Sequence, residues 1–134
     1  MVAYSFKGRF VDPIKARTKR HTIRALGKKR HARPGDTLQI YTGDRFHPKK
    51  VGEATCAMAG EIVLDFRLLE VWIDWNDEAQ EKTMLVTLEE LDDFARSDGF
   101  ESWDDLEAFW KETHDVSNSW TGIIITWGDT FVAS

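Results

Sequence analysis

The chain predicts an α+β fold, and three observations carry the prediction. Thr37–Thr42 and Leu69–Asp74 alternate polar and apolar residues with the two-residue period of half-buried strands. The run at 122–127, GIIITW, is dense in the β-branched residues that strands favour. Two capped helical stripes, beginning at Thr87 and Ser102, follow one another late in the chain instead of alternating with the strands.

In order, Met1–Phe10 reads as a first strand, with Tyr4 and Phe6 on one face and Ser5, Lys7 and Arg9 on the other. Asp12-Pro13 reads as a helix start, since Asp accepts from the free amides of a first turn and Pro lacks only an N–H that has no partner there. That helix is expected to end near Arg17. Thr22-Ile23-Arg24 leaves room for a brief strand before Lys28-Lys29-Arg30-His31-Ala32-Arg33, where dense positive charge without apolar period reads as a solvated loop. Pro34-Gly35-Asp36 is a turn leading into the strand Thr37–Thr42, which Gly43-Asp44 closes; Arg45–Lys50 reads as a second basic loop.

Val51–Trp75 is strand-like. Ala54, Cys56 and Met58 share one face, and Leu69, Val71 and Ile73 share another, opposite Glu70, Trp72 and Asp74. Trp75–Met84 reads as a loop. Thr87 and Glu90 form a capping box ahead of the stripe Leu88, Leu91, Phe94, Ala95, and Ser97-Asp98-Gly99 ends the helix where glycine tolerates a left-handed backbone. Ser102 caps a second helix with Asp104 and Asp105 in its first turn and Trp103, Leu106, Phe109 and Trp110 on one stripe. Residues after the strand Gly122–Trp127 read as a tail. The six tryptophans lie almost wholly in the acidic half, at spacings that suit a core as well as a stacking platform.

The length of 134 residues matches one domain, and 42% hydrophobic with 31% charged residues is an ordinary globular composition. No apolar run approaches the roughly 18 residues of a membrane span, and no signal-peptide pattern opens the chain, so a cytoplasmic protein without membrane partners is expected. The single Cys56 has no internal disulfide partner. His21, His31, His47 and His114 are too scattered for a zinc site, so neither a metal nor another cofactor is expected.

The net charge of −5 hides a segregation: residues 1–50 hold 14 Lys and Arg against 3 Asp and Glu, whereas residues 51–134 hold 4 against 20. Such a basic segment either aims a local field at an anion or neutralises the acidic half across the fold. Within it, Lys19 precedes Thr22 by three residues. A threonine hydroxyl becomes a nucleophile when a nearby base takes its proton, and lysine serves as that base when burial or neighbouring cations such as Arg17, Arg20 and Arg24 lower its pKa. The same spacing is equally that of a solvated basic strand edge.

The order of a short helix, Lys19-x-x-Thr22-Ile23-Arg24, a basic loop to Pro34-Gly35-Asp36, a strand ending Tyr41-Thr42-Gly43, the segment Phe94-Ala95-x-x-Asp98-Gly99-Phe100-x-Ser102 and the last strand resembles the ASCH domain of the PUA-like superfamily. The resemblance covers nearly the whole chain and is strongest to small stand-alone ASCH proteins of phages and prophages. It implies one domain over residues 1–134, a mixed β-barrel with short helices over its ends, and a cleft for RNA or a modified nucleoside. Family members that hydrolyse N4-acetylcytidine use a lysine, a threonine and a glutamate. The first two carry over to Lys19 and Thr22; the glutamate's place falls at Asp98, one methylene shorter, with Glu101 three residues on.

Two functions follow as expectations. One is an RNA or single-stranded nucleic-acid or nucleoside binder whose basic cleft includes Arg17, Arg20, Arg24, Lys28, Lys29, Arg30, Arg33 and Arg45, with Lys49 and Lys50. The other is an enzyme, an amidohydrolase of N-acyl nucleosides with Lys19, Thr22 and Asp98 as catalytic residues, or a ribonuclease.

Overall fold

The structure, a computed structural model, describes residues 1–27, 30–77, 81–114, 116 and 118–134. Its strands are β1 (Val2–Phe6), β2 (His21–Arg24), β3 (Thr37–Thr42), β4 (Lys49–Thr55), β5 (Met58–Asp65), β6 (Glu70–Trp75), β7 (Thr83–Leu85), β8 (Ser119–Thr126) and β9 (Val132–Ala133). Its helices are α1 (Val11–Lys15), entered through a 3-10 turn at Gly8–Phe10, α2 (Leu88–Ser97) and α3 (Trp103–Thr113).

The strands make two sheets, in the orders β1-β3-β4-β9 and β2-β8-β5-β6-β7, and among the described residues they do not close into a barrel. The reason lies at the two edges where closure would begin. Arg24 of β2 donates from Nη2 to the Ser5 carbonyl of β1 at 2.8 Å, so a side chain stands where a ladder would need a main-chain N–H. The sheets are instead fused through one continuous apolar cluster that takes Leu38 and Ile40 from β3, Ile62 and Leu64 from β5, Ile124 and Ile125 from β8, and Leu91, Phe94, Leu106 and Trp110 from the helices.

Several local expectations need correction. The first helix starts at Val11, so Asp12 is not its cap and Pro13 lies within the first turn. The first strand stops at Phe6, because Lys7 begins the 3-10 turn. Lys49 and Lys50 belong to β4, where they pair with Thr42 and Tyr41, not to a loop. Leu69 turns at φ +57° between β5 and β6 and is exposed, leaving Val71 and Ile73 as the buried face of β6. Part of the expected loop at 75–84 is strand. The expected tail docks: Phe131 is buried and β9 pairs with β4. Of the basic loop, the described part is pinned, because the Tyr4 hydroxyl accepts from the Ala32 amide at 3.1 Å and His31 bridges Tyr4 and the Ala25 carbonyl.

The two late helices form as their sequences dictate. The Thr87 hydroxyl accepts from the Glu90 amide at 3.1 Å while the Glu90 carboxylate accepts from the Thr87 amide at 3.0 Å. Leu91, Phe94 and Ala95 are buried, although Leu88, in the first turn, faces solvent. The Ser102 hydroxyl accepts from the Asp105 amide, and Trp103, Leu106 and Trp110 turn inward. Gly99, at φ +95°, ends α2 and aims Asp98 back toward β2.

Candidate functional site

Two chain reversals bring the site together. Arg17 adopts φ +67°, and the amides of Thr18 and Lys19 both donate to the Pro13 carbonyl at 3.0 Å, so the chain doubles back and Lys19 enters the interior. On the other side the Arg20 amide donates to the Ser97 carbonyl at 2.7 Å, tying the start of β2 to the end of α2.

Lys19 and Asp98 consequently meet. The Lys19 ammonium donates to the Asp98 backbone carbonyl and, at 3.1 Å, to its carboxylate Oδ1. The two residues are only 2% and 3% exposed. Taking both charges out of water outweighs their mutual attraction. Burial therefore lowers the Lys19 pKa despite Asp98, and raises that of Asp98 to about 6 despite Lys19. Both shifts narrow the difference in proton affinity between the amine and the carboxylate. Lys19 also lies 4.8 Å from the Phe10 ring centroid and 5.6 Å from that of Phe6.

These residues open onto a cavity of about 420 Å³ whose lining includes Lys19, Thr22, Arg24 and Asp98 together with the aromatic rings of Phe6, Phe10, Phe100, Phe109 and Trp110. Phe10, Phe100 and Phe109 contact one another edge-on or tilted, with centroids 5.2 to 5.6 Å apart. The Thr22 hydroxyl has no hydrogen bond among the described residues. Arg24 lies 4.7 Å from the Phe6 centroid, and its Nε is buried without an acceptor. Burial lowers its pKa too.

The other expected basic residues do not converge there. Arg17 donates to the Asp129 carbonyl, Arg20 pairs with the Asp129 carboxylate at 3.3 Å, and Arg30 pairs with Asp36 at 2.8 Å. Arg33 is exposed. Arg45 lines a different groove, of about 490 Å³, with Tyr4, Gln39 and Tyr41. Lys28 and Lys29 lie outside the described residues. Glu101 is exposed and absent from the cavity wall, so it does not replace Asp98.

The sequence reading missed His21. Its ring is buried against Phe94, with centroids 4.8 Å apart, and its Nε2 lies 3.4 Å from Asp98 Oδ1. Burial, then the neighbouring Lys19, hold its pKa well below the usual histidine value. The signal was its position at the start of β2, two residues after Lys19. Of the aromatic wall, Phe109 and Trp110 were legible as part of a helix stripe and Phe6 as one face of the first strand. Among the described residues no group of three or more His, Cys, Asp or Glu side chains is arranged to hold a metal ion, and no helix is long and apolar enough to cross a membrane.

Comparison of the chain with known protein families, with characterised proteins and with solved structures gave no match.

Proposed function

We propose that this protein is a PUA-like domain of the ASCH type that hydrolyses the amide of an N-acylated nucleoside such as N4-acetylcytidine. One observation carries the reading: Lys19, Thr22 and Asp98, the last some 80 residues from the others, line one aromatic cavity. At about 420 Å³ it falls in the range of small-molecule sites, roughly 300–1,000 Å³.

In this reading the neutral amine of Lys19 takes the Thr22 proton as Thr22 Oγ attacks the acyl carbonyl. The guanidinium of Arg24, which lines the cavity, steadies the developing oxyanion. Protonated Asp98 gives its proton to the departing ring amine as the C–N bond breaks. Water then cleaves the acyl-threonine ester, its proton leaving to solvent with the acid product while Lys19 returns its proton to Thr22, so that Asp98 is left ionised. The aromatic wall suits a nucleobase, and the Arg24 guanidinium beside Phe6 suits the acyl oxygen.

Nucleic-acid binding is the second reading, favoured by Arg33, Arg45 and Lys49, which are exposed and carry no ion pair among the described residues. Chromatographic assay of N4-acetylcytidine with the wild type and Thr22→Val separates the two. Cytidine formed by the wild type and lost in the variant supports the enzyme. No cytidine with either, together with RNA affinity that falls steeply with salt, replaces it with the binder.

A further inference from the structure

Asp98 has two nitrogen partners, and only one of them belongs to the chemistry above. Lys19 reaches Oδ1 from the cavity; His21 Nε2 lies 3.4 Å from the same oxygen. Nε2 is sealed from solvent and, in this pose, out of line for a hydrogen bond. Among the described residues no other acceptor or donor competes for it. His21 is 7% exposed and borders a second groove, of about 380 Å³, that shares no lining residue with the cavity.

We propose that His21 is a positioning residue that couples the protonation of Asp98 to this second groove, so that Asp98 can be loaded with a proton while substrate fills the cavity. The inference rests on the amidohydrolase reading for its use, but not for its existence. With Asp98 ionised, His21 carries its hydrogen on Nε2 and donates it to Oδ1. When a hydronium ion in the groove gives a proton to Nδ1 and is left as water, the Nε2–H bond breaks and that hydrogen passes to Oδ1. The result is a carboxylic acid donating to a bare Nε2, with the imidazole again neutral. The two arrangements differ by one proton, taken from the groove, and interconvert in either direction. The imidazolium is never the resting form, in keeping with burial that disfavours it.

The charged groups facing this unit are few. Lys19 and Arg24 act on Asp98, with Arg9 also near Lys19; Glu90 and Asp93 of α2 line the groove. From β6, β7 and β8 the groove receives Ile73, Trp75, Leu85, Ile124 and Thr126, none of them ionisable.

The test is a carbon-13 NMR titration of the Asp98 carboxyl beside kinetics for wild type, His21→Gln and His21→Phe, each checked for folding by circular dichroism. Glutamine can donate to a carboxylate or accept from a carboxylic acid, but cannot pass a proton through. The expected result is an Asp98 midpoint raised by about one to two units in His21→Phe, which loses a hydrogen bond to the charged form, and near the wild-type value in His21→Gln. His21→Gln should nonetheless lose kcat by roughly tenfold to a hundredfold with KM unchanged. An unmoved midpoint in His21→Phe, or full kcat across the pH range in His21→Gln, overturns the proposal. Absence of wild-type hydrolysis removes the amidohydrolase reading, and the titration in His21→Phe then decides the coupling by itself.

Discussion

Lys19 is the residue on which stability and function pull in opposite directions. Lys19→Met alone leaves Asp98 in the apolar interior without its cation and should destabilise the fold by about 3 kcal/mol in urea unfolding. Lys19→Met combined with Asp98→Leu removes both charges and should equal or exceed the wild type by about 1–4 kcal/mol while abolishing turnover. The pair also fixes a pH dependence. Folded Asp98 keeps its proton up to about pH 6, whereas in the unfolded chain it is lost near pH 3.9. Between those values the folded state binds more protons, so Asp98 makes stability fall as pH rises through that window. Lys19 does the reverse: its folded pKa is lowered, so its contribution recovers as pH climbs from that lowered value toward about 10.4. The advantage of the double variant over the wild type should therefore be greatest near neutrality and shrink on both sides. Little of this was legible in sequence. Spacing nominated Lys19, Thr22 and Asp98, but burial sets their proton affinities, and burial depends on contacts 79 residues apart.

At the scale of elements, α2 holds Asp98 in place through its two ends. Thr87→Ala removes the hydroxyl half of the capping box and should cost about 1 kcal/mol by thermal or urea unfolding, with little effect on the site. Gly99→Ala should do the opposite. Its φ of +95° strains any Cβ, and that atom would lie 2.9 Å from Lys19 Cδ and 3.0 Å from Phe10 Cδ1. A stability loss of about 1–3 kcal/mol should accompany a larger loss of turnover, because the displaced side chain is Lys19. Both helix ends were legible, since a capping box and an Asp-Gly stop are local chemistry. The start of α1 was not. Asp12-Pro13 reads as a helix start, yet Phe10 enters the core and its 3-10 turn brings Val11 into the helix first. Packing moved the boundary that propensity suggested.

For the whole molecule, the sequence conveyed the α+β class but not how the sheets join. The expected barrel does not form among the described residues: the strands stay in two sheets, and between β1 and β2 the Arg24 side chain reaches the Ser5 carbonyl. The docked C-terminal segment was equally hidden, because its buried side chain, Phe131, follows Gly128-Asp129-Thr130 in a stretch too short to show a strand period. Phe131 packs where a side chain on Gly52 would stand, so Phe131→Ala should cost about 3–5 kcal/mol and free the β4 edge, read out as lost amide protection in β4. The charge segregation resolves partly into contacts between the halves: Arg9 pairs with Asp105, Lys19 with Asp98 and Arg20 with Asp129. The most direct test of the central claim is hydrolysis of N4-acetylcytidine by the wild type and Lys19→Ala side by side, at equal concentration and with both shown to be folded. The account predicts cytidine and acetate from the wild type and neither from the variant. Cytidine formed equally by both, or by neither at high enzyme concentration, would contradict it.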